Sequence, residues 1–149
     1  MFNVVFYKNT TSTTDAPKIK EAHIHTLKNG ANLYNGDTGV TDFNNCTNIQ
    51  NGTYMFNGCT ALTNFYDNNK ELENGAYMFY GCSALSNIGI SLGKLSNGIG
   101  MFRGCTSLIE ISADFNNVVD GTNMFYNCSQ LSTLVHSFNT VSYKGTINA

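Results

Sequence analysis

Asn57, Tyr80, Arg103 and Tyr126 follow one another at intervals of 23 residues. Laid side by side, they would set a guanidinium between two phenol rings. A cation over an aromatic face is attracted by the ring quadrupole, worth about 0.5–1 kcal/mol on an exposed surface. Aromatic residues and arginine are also enriched where proteins meet partners. The column has two readings: a stripe that binds a glycan or a protein, or a surface ladder that stiffens the stack carrying it. A second set shares the spacing: Asn64 and Tyr66, Asn87 and Gly89, Glu110 and Ser112, Thr133 and Val135. Amides, a carboxylate, hydroxyls and a ring on one face could hydrogen-bond and stack against a ligand.

The histidines point to less. His23 and His25 would share one face of a strand, which is half of a metal site. With no third ligand nearby, two solvent-facing positions on an edge strand are the simpler reading, and no metal is expected. His136 reads as a surface residue on a late strand. The chain has no Gly-x-Ser-x-Gly elbow, no phosphate-cradling glycine loop ending in Gly-Lys and no paired-carboxylate motif. Function has to be argued from a site, and no catalytic site is visible. The expectation is a protein that is not an enzyme and carries no cofactor.

For these columns to form, the chain must bring residues 23 apart into register. Four segments repeat one pattern without gaps: Gly52-Thr-Tyr-Met-Phe-Asn-Gly-Cys-Thr-Ala-Leu62, Gly75 to Leu85, Gly98 to Leu108 and Gly121 to Leu131. A fixed period of this length predicts supersecondary units stacked as a repeat solenoid. The predicted interior columns are Met55, Met78, Met101 and Met124; Phe56, Phe79, Phe102 and Phe125; Leu62, Leu85, Leu108 and Leu131; Phe65, Ile88, Ile111 and Leu134; and Leu72, Leu95, Val118 and Val141, with Ile49 preceding Leu72. One such unit could not bury these residues alone. Stacking buries each against its counterparts at roughly 25 cal/mol per Å² of apolar surface. Glycine columns at Gly52, Gly75, Gly98 and Gly121, and at Gly58, Gly81 and Gly104, mark places where a β-carbon would clash or φ is positive. Asn127 replaces the last of the second set, as the usual non-glycine occupant of left-handed positions.

The same register decides how the cysteines are read. Cys59, Cys82, Cys105 and Cys128 form one column, with Cys46 the fifth cysteine of the chain. Equivalent residues of neighbouring units lie roughly 4.8 Å apart, but their parallel side-chain vectors disfavour a bridge. A column of reduced, buried thiols behaving as small hydrophobes is expected.

Composition narrows the function classes. The chain has 149 residues, 42% of them hydrophobic, which suits one domain with a continuous core. Charged residues make up 12%, about half the usual share. Net charge is −2 and no run of Lys or Arg occurs, so no nucleic-acid footprint is present. No apolar run reaches membrane-spanning length, and Met1 to Lys8 shows no secretory signal. Residues 1–45 depart from the period. Asn3–Tyr7 and Lys18–Leu27 alternate like strands, Asn29-Gly30 and Asn35-Gly36 signal turns, and the segment reads as an N-terminal cap built on a β-hairpin. Residues 46–149 read as the solenoid proper: about four coils and an unfinished fifth, in which Lys144 takes the glycine column and Ile147 the methionine column. The solenoid ends could make homo-oligomer or assembly contacts. Asp67–Glu73, carrying Asp67, Lys70, Glu71 and Glu73, reads as a solvated turn.

At Met-Phe-x-Gly-Cys-[Ser/Thr]-x-Leu-x-x-[Ile/Phe/Leu] the chain resembles the BspA-type (Treponema pallidum-type) leucine-rich repeats, over residues 46–143. The resemblance implies a right-handed stack of mostly strand and loop. It places the cysteine at an inward ladder position, with short parallel strands near Leu62–Asp67, Leu85–Ile90, Leu108–Ala113 and Leu131–His136. It also implies a binding or adhesion module at a microbial or host surface, recognising a protein or a glycan. The Asn-rich, Trp-free composition would equally suit a structural or decoration component of an assembly such as a phage virion. The residues expected to carry binding are Tyr80, Arg103, Tyr126, Asn64, Tyr66, Asn87, Glu110 and Ser112.

Overall fold

Five three-residue strands punctuate the chain: β1 (Asp42–Asn44), β2 (Asn64–Tyr66), β3 (Asn87–Gly89), β4 (Glu110–Ser112) and β5 (Thr133–Val135). The structure is a computed structural model that describes residues 27–44, 48–67 and 69–135, and no helix occurs among them. β2 to β5 each sit inside a stretch where a strand was expected, β1 lies where none was, and every pairing is parallel. Asn64 lies opposite Asn87, Phe65 opposite Ile88 and Tyr66 opposite Gly89. Glu110, Ile111 and Ser112 lie opposite Thr133, Leu134 and Val135. Partners are therefore one repeat apart. A second line of parallel bridges joins Asn51 to Asn74, Asn74 to Asn97 and Asn97 to Asp120.

The turns between these lines are hydrogen-bonded from repeat to repeat as well. The N–H groups of Gly52, Tyr54, Phe56 and Gly58 donate to the carbonyls of Asn74, Ala76, Met78 and Tyr80, and the two following repeats do the same. This is how a fold with so little regular secondary structure meets the demand that buried backbone groups be paired. The asparagines of the bridge line close local turns too. Oδ1 of Asn51, Asn74 and Asn97 accepts from the N–H two residues on, and Asp120 substitutes for asparagine in the fourth repeat.

The two glycine columns have separate causes. A β-carbon on Gly52 would lie 2.8 Å from Met78 Sδ, so this column is a close approach between repeats. At Gly81, φ is +73° and nothing crowds the missing β-carbon, so this column is conformational, and Asn127 fills it at φ 63°.

The interior is one cluster in which the Met, Phe, Cys and Leu columns are buried. Its spine is a file of parallel rings. Tyr34, Phe56, Phe79, Phe102 and Phe125 follow one another with centroids 5.2, 5.6, 5.4 and 5.5 Å apart and planes within 6°. Each thiol of the buried cysteine column donates to the carbonyl of the aromatic residue one repeat back: Cys59 to Tyr34, Cys82 to Phe56, Cys105 to Phe79 and Cys128 to Phe102, at 3.0–3.2 Å. A column not read from the sequence also belongs to the core, with Asn69, Leu92 and Phe115 at equivalent positions. Asn69 stays buried because its amide donates to Ile49 O at 2.7 Å and its Oδ1 accepts from Glu71 N.

Residues 29–44 were expected within the cap, yet their geometry is that of a further repeat. Asn29 bridges Asn51, β1 pairs with β2, and Tyr34 heads the ring file. The offset here is 22 residues, and Asp37 stands where later repeats have cysteine, which is why a period of 23 misses it. The expected hairpin lies outside the described residues except for Leu27, as do Cys46, all three histidines, Val141 and the unfinished last coil.

Candidate functional site

Two surfaces carry the residues singled out from the sequence. On the first, Arg103 lies between the expected rings, with its guanidinium carbon 5.6 Å from the Tyr80 centroid and 4.9 Å from that of Tyr126. Asn57, at the start of the column, donates its amide to Asn35 Oδ1 in the preceding repeat. The sequence reading missed Tyr54 and Tyr77, whose rings stack at 5.0 Å and 7° beside this column. Tyr77 also meets Tyr80 edge to face at 5.9 Å, joining the two columns into one band. Their signal in the sequence was the Tyr-Met-Phe triplet of two repeats. The triplet does not reveal that both tyrosines adopt φ 54°, a left-handed conformation uncommon for aromatic residues. Gly100 follows them in the column, and the Tyr77 ring lies where its β-carbon would be.

The second surface is the exposed side of the strands. Asn64 donates its amide to Asp42 Oδ1 at 2.6 Å, and Asn87 donates to Asn64 Oδ1 at 2.9 Å. Each amide spends its other hydrogen on the hydroxyl just before it, Thr63 or Ser86. Tyr66 is 55% exposed, and its ring leans over Gly89, where a β-carbon would approach to 2.9 Å.

Here the sheet is interrupted. β1, β2 and β3 form one sheet and β4 and β5 another, with no pairing between β3 and β4. Thr41 O accepts from the N–H groups of Thr63 and Asn64, and Thr63 O from those of Ser86 and Asn87. Ser86 O makes no corresponding bond to Ile109 and Glu110 among the described residues. A cleft of about 240 Å³ opens at this break, lined by Tyr66, Ser86, Asn87, Ile88, Ile109 and Glu110. Three of the expected binding residues, Tyr66, Asn87 and Glu110, thus share one concavity. Asn64 stands one rung behind it, and Ser112 lies further along β4, exposed.

The thiols offer no chemistry at either surface. Burial, followed by the nearby Asp37 carboxylate, pushes the Cys59 thiol up to about 12. Burial holds Cys128 at about 11 and raises Cys82 and Cys105 as well. The nucleophile is the thiolate, so thiols held protonated and out of solvent are inert. No group of three or more metal-ligating side chains occurs among the described residues. No helix among them is long and apolar enough to cross a membrane.

Compared with known proteins, the chain matches the family model described as BspA type Leucine rich repeat region, in 6 copies over residues 32–145. No curated protein and no solved structure matched it.

Proposed function

The chain belongs to the BspA-type leucine-rich repeat family, and from that premise we propose that it is a non-enzymatic adhesion or recognition module built as a solenoid, binding a protein or glycan through its strand face. The family generally supplies binding scaffolds, and repeats of this kind gather side chains from many rungs onto one surface. The observation that carries the choice of face is the cleft at the break between β3 and β4. It combines concavity, an exposed ring and hydrogen-bonding groups, the usual makings of a ligand site. The tyrosine band is the poorer candidate, because Arg103, Tyr80, Tyr126, Tyr54 and Tyr77 already satisfy one another. It acts as the stiffening ladder.

The test is an array of glycans and cell-surface proteins, probed with the parent chain, Tyr66→Ser and Arg103→Ala. Signals lost in Tyr66→Ser and kept in Arg103→Ala are the expected outcome. The reverse pattern would move the site to the tyrosine band. Light scattering addresses assembly: a monomer fits a recognition module, whereas a defined oligomer would favour a structural component packed through the solenoid ends.

A further inference from the structure

The amide ladder on the strand face has a direction. Asp42 stands at its start, and a carboxylate can only accept hydrogen bonds. Asn64 must therefore turn its amide nitrogen toward Asp42 and its oxygen toward Asn87. Asn87 must in turn present its nitrogen to Asn64, leaving its own oxygen directed at the next rung. The residue at that place is Glu110, another acceptor. Two acceptors cannot continue the ladder. Asn87 Oδ1 and the Glu110 carboxylate receive no protein hydrogen bond among the described residues, and both line the cleft. Ser86 O, denied the strand pairing that Thr41 O and Thr63 O enjoy, is a third open acceptor at the same break.

We propose that this cleft receives a primary ammonium group, the side chain of a lysine on a partner protein. The proposal builds on the strand-face reading above and specifies its ligand. An ammonium carries three donors and no acceptor, which complements Asn87 Oδ1, Glu110 and Ser86 O. The Tyr66 ring adds a face that attracts cations. Ile88 and Ile109, the latter 55% exposed, supply apolar surface for the four-carbon stem. Glu110 is the charged residue of the lining, so the charge complement is a single cation.

Competing occupants fit less well. Saccharide hydroxyls need donors as well as acceptors, and here both amide hydrogens of Asn87 are committed to Asn64 and Ser86 and the Ser86 hydroxyl to Thr63 O, which leaves the Tyr66 hydroxyl as the remaining donor. Calcium takes about 6–8 oxygens, whereas the cleft offers side-chain oxygens from one amide and one carboxylate beside two hydroxyls. Guanidinium is a planar fork that favours bidentate carboxylates, and here the acceptors come from three separate groups.

The experiment is an NMR titration of the full chain, labelled with nitrogen-15, using Nα-acetyl-lysine methylamide as the probe. Its Nε-acetylated form, the arginine analogue and methyl glucoside serve as comparators. Saturable shifts confined to residues 86–88 and 109–112 are expected for the lysine probe, fading as salt rises. Glu110→Gln should weaken the probe about tenfold, since charge-assisted hydrogen bonds are roughly twice as strong as neutral ones. Tyr66→Leu should weaken it by a smaller factor. Absence of shifts, or equal shifts from the Nε-acetylated probe, overturns the proposal. If methyl glucoside alone moves these resonances, the strand face stands and its ligand is a saccharide. If array binding responds to Arg103→Ala and not to Tyr66→Ser, the strand-face reading falls and this proposal with it.

Discussion

The tyrosine band and the strand face are made by the same repeats, yet one closes on itself and the other does not. On the band, Tyr80, Arg103 and Tyr126 alternate ring and cation, and Tyr54 stacks on Tyr77, which covers Gly100. From Tyr80 to Tyr126 each rung complements the next. On the strand face the column runs Asp42, Asn64, Asn87 and then Glu110, so the fourth rung repeats the acceptor chemistry of the first and the ladder stops. On the reading proposed above, a repeat surface is open to a partner where successive rungs cease to complement one another. The abundance of aromatic side chains is a poorer guide.

Both faces hang on the shared ring file, so the largest effect comes from breaking it. Phe102 is fully buried between Phe79 and Phe125. Phe102→Ala should cost about 3–5 kcal/mol of stability, as for other large-to-small core changes, and should disturb both faces; urea denaturation measures it.

Alkaline pH attacks the same interior. Cys59 and Cys128 ionise near 12 and 11 in the folded chain, against an ordinary value of 9.0. Between these values the unfolded chain has lost its thiol protons while the folded chain keeps them. Stability is therefore complete below pH 9 and falls as pH climbs through 11 and 12. Urea midpoints across that range should decline steadily, and a thiol reagent at neutral pH should modify Cys59, Cys82, Cys105 and Cys128 only as the chain unfolds.

Smaller changes sharpen the contrast between the faces. Glu110→Asn restores a donor opposite Asn87 and should extend the ladder across the break. A gain of about 0.5–1.5 kcal/mol is expected, the net worth of one hydrogen bond, together with loss of strand-face binding. Unchanged stability would mean that the break does not originate in the side chains. Arg103→Ala should cost about 0.5–1 kcal/mol, the worth of an exposed cation–π contact, and leave strand-face binding intact. Smallest of all, Lys94→Ala removes the exposed ion pair with Glu71 (2.6 Å) and should not move the urea midpoint, as is usual for surface pairs.

Much of this protein was legible in its sequence because the repeat is so literal. Identical residue types at a constant spacing announce the Met, Phe, Cys and Leu columns before any coordinate is known, and the cation–π file at Arg103 follows from the spacing alone. Residues 29–44 escaped because one missing residue and Asp37 in place of cysteine broke the pattern, although pairing tolerates both. Tyr54 and Tyr77 escaped because their Tyr-Met-Phe triplet, though present in two repeats, does not reveal their left-handed backbone. Periodicity states which residues share a column but is silent on whether neighbouring rungs complete each other's hydrogen bonds. That depends on side-chain direction and on the space between rungs. Only the tertiary structure decided that the strand ladder breaks between Gly89 and Glu110, and that Tyr66, Asn87 and Glu110 face one cleft.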